Sequence, residues 1–107
     1  MTAIESAAAA EAIQRPDRPR LVFFYSPVSG KSRRAEGYLA QVLQRRRNHE
    51  TFSVVRVDTD KRPDLAGRFR VTELPTLIVI DGNRVRGRLS EPTGCRQITE
   101  LLRPWLS

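Results

Sequence analysis

The chain has 107 residues, 39% of them hydrophobic, which supplies one modest core and leaves no room for a second sizeable domain. Lys and Arg number 19 against 12 Asp and Glu, a formal charge of +7, and all of the cations but Lys31 and Lys61 are arginine; this favours anionic partners, although a solvated arginine-coated surface accounts for the same excess without any ligand. One cysteine, Cys95, excludes an internal disulfide, and with one histidine, His49, it makes no zinc cluster, so neither metal nor cofactor is expected.

In chain order, the helix-forming residues 4–14 predict a first helix, and Pro16 and Pro19 a stiff connector. Residues 1–14 carry no cationic segment or long apolar block of a secretory leader, and no apolar run is long enough to span a bilayer. The expected setting is therefore the cytoplasm, without a membrane partner. Residues 21–25, LVFFY, form an unbroken apolar run, the pattern of a strand covered on both faces. A long amphipathic helix follows over 30–47, with Tyr38, Leu39, Val42 and Leu43 in one stripe and Arg33, Arg34, Arg45, Arg46 and Arg47 mostly outside it. Residues 52–58 read as a second strand, 61–69 as a short helix with Pro63 in its first turn, and 76–80 as a third strand. Asp81-Gly82-Asn83 supplies a hairpin turn, 84–89 the returning strand, and Thr93 or Gly94 opens a last helix running through Leu106. The order α-β-α-β-α-β-β-α makes this an α/β chain of one domain, with residues 1–20 as helix and connector and 21–106 as core.

Between the first strand and the long helix lies YSPVSGKS, residues 25–32. A strand, a tight loop and a helix start gather unpaired backbone N–H groups at the positive end of the helix dipole, the geometry that binds phosphate. The terminal Gly-Lys-Ser invites that reading. A nucleotide-binding P-loop, however, needs a glycine where Tyr25 stands, and Pro27 removes a further donor.

From Leu21 to Leu106 the chain instead resembles thioredoxin. There, an apolar strand leads into Trp-Cys-Gly-Pro-Cys-Lys at the head of a long helix; here the matching residues are Val28, Ser29, Gly30, Lys31, Ser32 and Arg33. The block 58–85 is the specific part of the match, with Asp58, Pro63, Ala66, Phe69 and Val71 leading to Leu74-Pro75-Thr76-Leu77. The resemblance implies a thioredoxin fold, a central mixed sheet flanked by helices on both faces. It also shows what is missing. Both family cysteines are matched by serines, the family tryptophan by Val28, and its buried acid by Phe23. Dithiol exchange needs one thiolate to attack a disulfide and a second thiol to resolve the mixed disulfide. A serine pair has neither, so Ser29, Gly30, Lys31 and Ser32 form a degenerate loop and catalysis is not expected.

Ser29 as a hydrolytic nucleophile would need a base, and in this fold His49 lies beyond the far end of the long helix; Ser29 is expected as its N-cap, with Lys31 facing solvent. What the resemblance leaves is a peptide groove built from residues 28–32, 73–76 and 91–94: Val28, Ser29, Leu74, Pro75 in the cis form, Thr76, Pro92 and Thr93. The expected function is a monomeric, redox-inactive protein- or peptide-binding module. A thiol protein acting through Cys95, near Arg96 and a helix start, is the alternative. A nucleic-acid or polyanion binder using Arg33, Arg34 and Arg45 to Arg47 is another, weakened by the scarcity of aromatic platforms beside those arginines.

Overall fold

The computed structural model of the protein describes residues 19–45, 51–82 and 84–106. The expected first helix over 4–14, together with Arg46, Arg47, His49 and Asn83, lies outside the described residues. The strands are β1 (Arg20–Tyr25), β2 (Ser53–Asp58), β3 (Thr76–Asp81) and β4 (Arg84–Ser90); the helices are α1 (Gly30–Gln44), α2 (Pro63–Arg68) and α3 (Cys95–Leu102).

The sheet runs β2-β1-β3-β4, with β1 parallel to β2 and antiparallel to β3, and β4 antiparallel to β3. It is mixed, as the thioredoxin resemblance implies. β1 and β3 are its centre and are buried everywhere but at their last residues, which is why both read as continuous apolar runs. The outer strands β2 and β4 carry exposed residues along their length.

Alternate residues divide the core in two. Leu21, Phe23, Leu77 and Val79 pack against Ala35, Leu39, Val42 and Leu43 of α1 and Ile98 and Leu102 of α3. On the opposite face Val22, Phe24, Val55, Val57, Ile78 and Ile80 close over Leu65 of α2. Each fully buried side chain of this kind contributes about 1.5–3 kcal/mol relative to exposure. Gly87 permits the close approach of α3 to β4, since a Cβ there would stand 2.9 Å from Leu101 Cδ1.

Two helix ends depart from expectation. The last helix stops at Leu102 and gives way to a 3-10 turn, Arg103–Trp105, because Pro104 has no N–H to continue the ladder. α2 ends in a paired cap in which Arg70 N–H bonds the Gly67 carbonyl at 3.1 Å and Val71 N–H the Ala66 carbonyl at 2.8 Å. This cap places Arg70 at φ 54°, a left-handed position usually given to glycine. Among the described residues no helix is long and apolar enough to cross a membrane.

Candidate functional site

The loop between β1 and α1 is fixed by its own serines. Ser29 has extended backbone (φ −94°, ψ 125°) and caps α1, its Oγ accepting from the Ser32 N–H at 3.2 Å. Ser32 is 3% exposed, and its Oγ accepts from the Ser26 N–H at 3.1 Å. A backbone bond from Ser29 N–H to the Ser26 carbonyl, 3.1 Å, closes the turn. Both hydroxyls thus satisfy backbone donors that the turn would otherwise leave unpaired. Beneath them Phe23 is 1% exposed and apolar, and among the described residues neither hydroxyl has a histidine or carboxylate partner to act as base.

Two further segments are tied to this loop. The Leu74–Pro75 bond is cis, and the Pro75 carbonyl accepts from the Glu91 N–H at 2.7 Å. Glu91, at φ 50°, turns its carboxylate onto Lys31, Nζ to Oε1 2.9 Å, bridging the first turn of α1 to the segment after β4. The Lys31 hydrogen bond, reinforced by its charge, holds the Glu91 carboxyl below its ordinary pKa. Lys31 faces solvent, as expected from the sequence, with its side chain 62% exposed, and it is at the same time a strut of the site. Thr76 is internal: it is fully buried, its Oγ1 donates to the Glu73 carbonyl at 2.6 Å, and it lies 3.1 Å from Ser90 Oγ. It shapes the Pro75 loop and offers no side chain to a ligand.

The structure therefore brings together the loops bearing Val28 and Ser29, Leu74 and Pro75, and Pro92 and Thr93. Val28, in the place of the family tryptophan, is 83% exposed, whereas Pro75 and Pro92 are buried. Beside them a cleft of about 270 Å³ is lined by Lys31, Arg34, Tyr38, Glu91, Pro92 and Thr93. Sites for small organic ligands run to roughly 300–1,000 Å³, so this one suits a peptide side chain or two. The first turn of α1 carries Lys31 and Arg33 and no acid. Cations there oppose the helix dipole, and Glu91 offsets part of that cost.

Cys95 is the first residue of α3 and half-buried, and its sulfur faces the middle of α1, 3.1 Å from Gln41 Oε1 and 3.7 Å from the Tyr38 carbonyl. It lies two residues after Thr93, and its sulfur is set against the middle of α1 rather than its first turn. Among the described residues no group of His, Cys, Asp and Glu has the makings of a metal site. The Lys31–Glu91 strut and the Ser26–Ser32 lock were not foreseen: the first joins residues far apart in sequence, and the second depends on a turn whose shape Pro27 alone does not specify.

The family model described as Thioredoxin matches residues 1–104. The chain is 30% identical over 93 residues to a thioredoxin-like protein of Synechocystis sp., covering 87% of this chain and 84% of that one. It is 28% identical over 88 residues to the chloroplastic thioredoxin Y2 of Arabidopsis thaliana, covering 82% of this chain but only 52%, about half, of that relative's length. Among solved structures, thioredoxin O2 of A. thaliana in its oxidized state superposes with a TM-score of 0.79 at 14% identity, covering 94% of this chain and 89% of that one. Trxlp of Edwardsiella tarda gives 0.77 at 23% identity, over 90% and 91% of the two chains. With its mixed sheet, its cis-proline loop and these matches, the chain belongs to the thioredoxin family.

Proposed function

We propose that this protein is a thioredoxin-family member without dithiol chemistry, which holds an extended segment of a protein partner across Val28, the Leu74–Pro75 loop and the Pro92–Thr93 segment. One observation carries the reading: at the two positions where the family has its cysteines, both hydroxyls are used as backbone hydrogen-bond acceptors. The loop keeps a defined shape with no atom able to attack a disulfide or to cycle by two electrons. Phe23 supports the same reading, since a buried phenyl ring neither takes nor gives a proton. Exposed Val28 and the small adjoining cleft supply apolar contact for a bound segment, and Lys31, Arg33 and Arg34 give its surroundings positive charge. The proposal includes a monomer acting in the cytoplasm, with neither cofactor nor catalytic turnover.

The test is capture of partners by immobilised protein, with and without reductant, beside the Val28→Asp variant. Val28 is exposed, so the substitution leaves stability within about 0.5 kcal/mol while placing a charge in the apolar contact. The expected result is a partner retained in reductant and lost from Val28→Asp. Retention that requires the absence of reductant and disappears in Cys95→Ser would replace this reading with the single-cysteine alternative.

A further inference from the structure

β4 ends the sheet on one side, and among the described residues no strand pairs with its outer rim of N–H and C=O groups. Along it Arg84, Arg86 and Arg88 are all exposed. Arg88 Nη2 donates to the Arg70 carbonyl at 3.3 Å, bringing alongside β4 the end of α2 with its exposed Arg68 and Arg70. The ion pairs among the described residues lie elsewhere: Lys31 with Glu91, Arg56 with Glu36, Arg62 with Asp64 and Arg103 with Glu100. Asp81, cross-strand from Arg84, accepts from Trp105 Nε1 at 3.1 Å. Five arginines thus line one edge with no carboxylate paired to them among the described residues.

An open edge is a template for another strand, and its charge decides which strand. Two β4 edges brought together would set arginine against arginine, and the register break that leaves Arg86 as an extra residue between Val85 and Gly87 further spoils self-pairing. Because of that break Arg84, paired with Asp81, lies on the face of Val79, whereas Arg88, paired with Ile78, lies on the opposite face, so the edge attracts an extended segment that carries acids on both of its faces. Nucleic acid fits less well: every aromatic among the described residues is buried or half-buried, leaving no exposed ring on which bases stack.

We propose that the β4 edge is a docking site for an acidic, extended peptide segment, which adds to the sheet as a further strand and sets its carboxylates against Arg84, Arg86 and Arg88, with Arg68 and Arg70 at the margin. Backbone pairing supplies the attachment and the arginines the selectivity. The surface is separate from the groove around Val28.

The probe is a fluorescein-labelled peptide of about twelve residues in Glu-Glu-Thr-Thr repeats, which sets acids on both faces of an added strand and is enough to run along a strand of ordinary length. Fluorescence anisotropy should show saturable binding that weakens at least about fivefold between about 50 and about 200 mM NaCl. Arg86→Glu with Arg88→Glu should weaken it at least about tenfold, and Arg45→Glu with Arg96→Glu, an equal change of net charge at exposed positions elsewhere, less than about twofold. If circular dichroism finds the hairpin disturbed by charge reversal, the paired Gln substitutions are read in its place, with a loss of about fivefold. A peptide of equal charge with Pro for Thr loses half of the N–H donors on whichever edge faces β4 and should bind at least about fivefold more weakly. Val28→Asp should bind the peptide as the unmodified protein does, so this inference and the groove reading fail separately. Absence of binding, equal losses in the two double variants, equal binding of the proline peptide, or tighter binding of an oligouridylate of matched charge would each overturn the proposal.

Discussion

α1 and α3 pack against the same face of the sheet, and their first turns differ in chemistry rather than in field. Neither has an acid in its first turn. α1 begins with a serine cap and a second serine locked beneath it, and both oxygens serve the backbone. α3 begins at Gly94 without a side-chain cap, and Gln97 reaches back so that its Oε1 accepts from the Thr93 N–H at 2.6 Å. The chain's one thiol sits at this second start, against Gln41. A helix start is thus a general resource of the fold, and what it does depends on the atom placed there and on where that atom points. In this chain the loop shaped for thiols holds oxygen, and the thiol lies at a helix start with no resolving partner.

The sharpest way to break that contrast is to exchange the chemistry of the two starts. The unmodified protein should reduce insulin disulfides no faster than dithiothreitol alone. The variant Ser29→Cys, Ser32→Cys, Cys95→Ser restores two thiols one helical turn apart and removes the one at Cys95. It should form an internal disulfide under mild oxidation, seen by mass spectrometry as loss of both free thiols, and should gain insulin reductase activity. The helix dipole with Lys31 and Arg33 nearby favours a thiolate at position 29, while apolar Phe23 leaves proton transfer slow, so the gain should fall short of an ordinary thioredoxin. Two free thiols after oxidation would show that the loop does not hold the disulfide register. Turnover by the unmodified protein that survives Cys95→Ser would sink the redox-silent reading.

The sequence disclosed the sheet more fully than the site. The buried centre was legible because β1 and β3 are apolar on both faces, and the family register followed from Leu74-Pro75-Thr76 standing in step with Val28 to Ser32. The serine pair in place of the family's cysteines was legible because it depends only on which residues stand at 29 and 32. Tertiary contacts were not: Lys31 reaches Glu91 because a left-handed residue after β4 aims the carboxylate back at α1, and no local pattern encodes that. The basic face expected on the long helix also missed the arginines of β4, since Arg84, Arg86 and Arg88 stand out as a group only once β4 is known to be an edge.

Among the hydroxyls themselves, stability measurements should rank the two starts. Ser32→Ala removes a buried acceptor and strands the Ser26 N–H, at a cost of about 1–3 kcal/mol. Ser29→Ala removes an N-cap and should cost about 1 kcal/mol. Gln97→Ala at α3 loses a more exposed contact and should cost a few tenths of a kcal/mol, within the usual ±0.5 range for surface changes. Urea unfolding of the three variants checks the order. If Ser32→Ala proves neutral, its hydroxyl does not lock the loop and the contrast between the two starts loses its structural basis.

The smallest effect concerns the strut that joins the two regions. Glu91 is held below its ordinary pKa first by the hydrogen bond from Lys31 and then by the attraction between the charges. Because the folded carboxyl is the stronger acid, the folded chain binds fewer protons than the unfolded one in this range, and stability rises with pH there. The contribution is complete above the unfolded value, about 4.3 for a glutamate, and is lost as pH falls through the depressed folded value. Glu91→Gln keeps the side-chain shape and removes the titration, so its Tm should lie slightly below that of the unmodified protein at neutral pH and converge with it in acid. The side chains of Lys31 and Glu91 are 62% and 39% exposed, so screening keeps the difference small and added salt should shrink it further. Asp64 provides the comparison inside the same molecule: the hydrogen bond from Arg62 lowers it to about 2, far from the loop, so its carboxyl resonance should still report the ionised form after Glu91 has begun to protonate. A Glu91 carboxyl that titrates at its ordinary value, with a Tm gap that does not change with pH, would mean that Lys31 and Glu91 do not pair in solution and that the loop after β4 is held to α1 by packing alone.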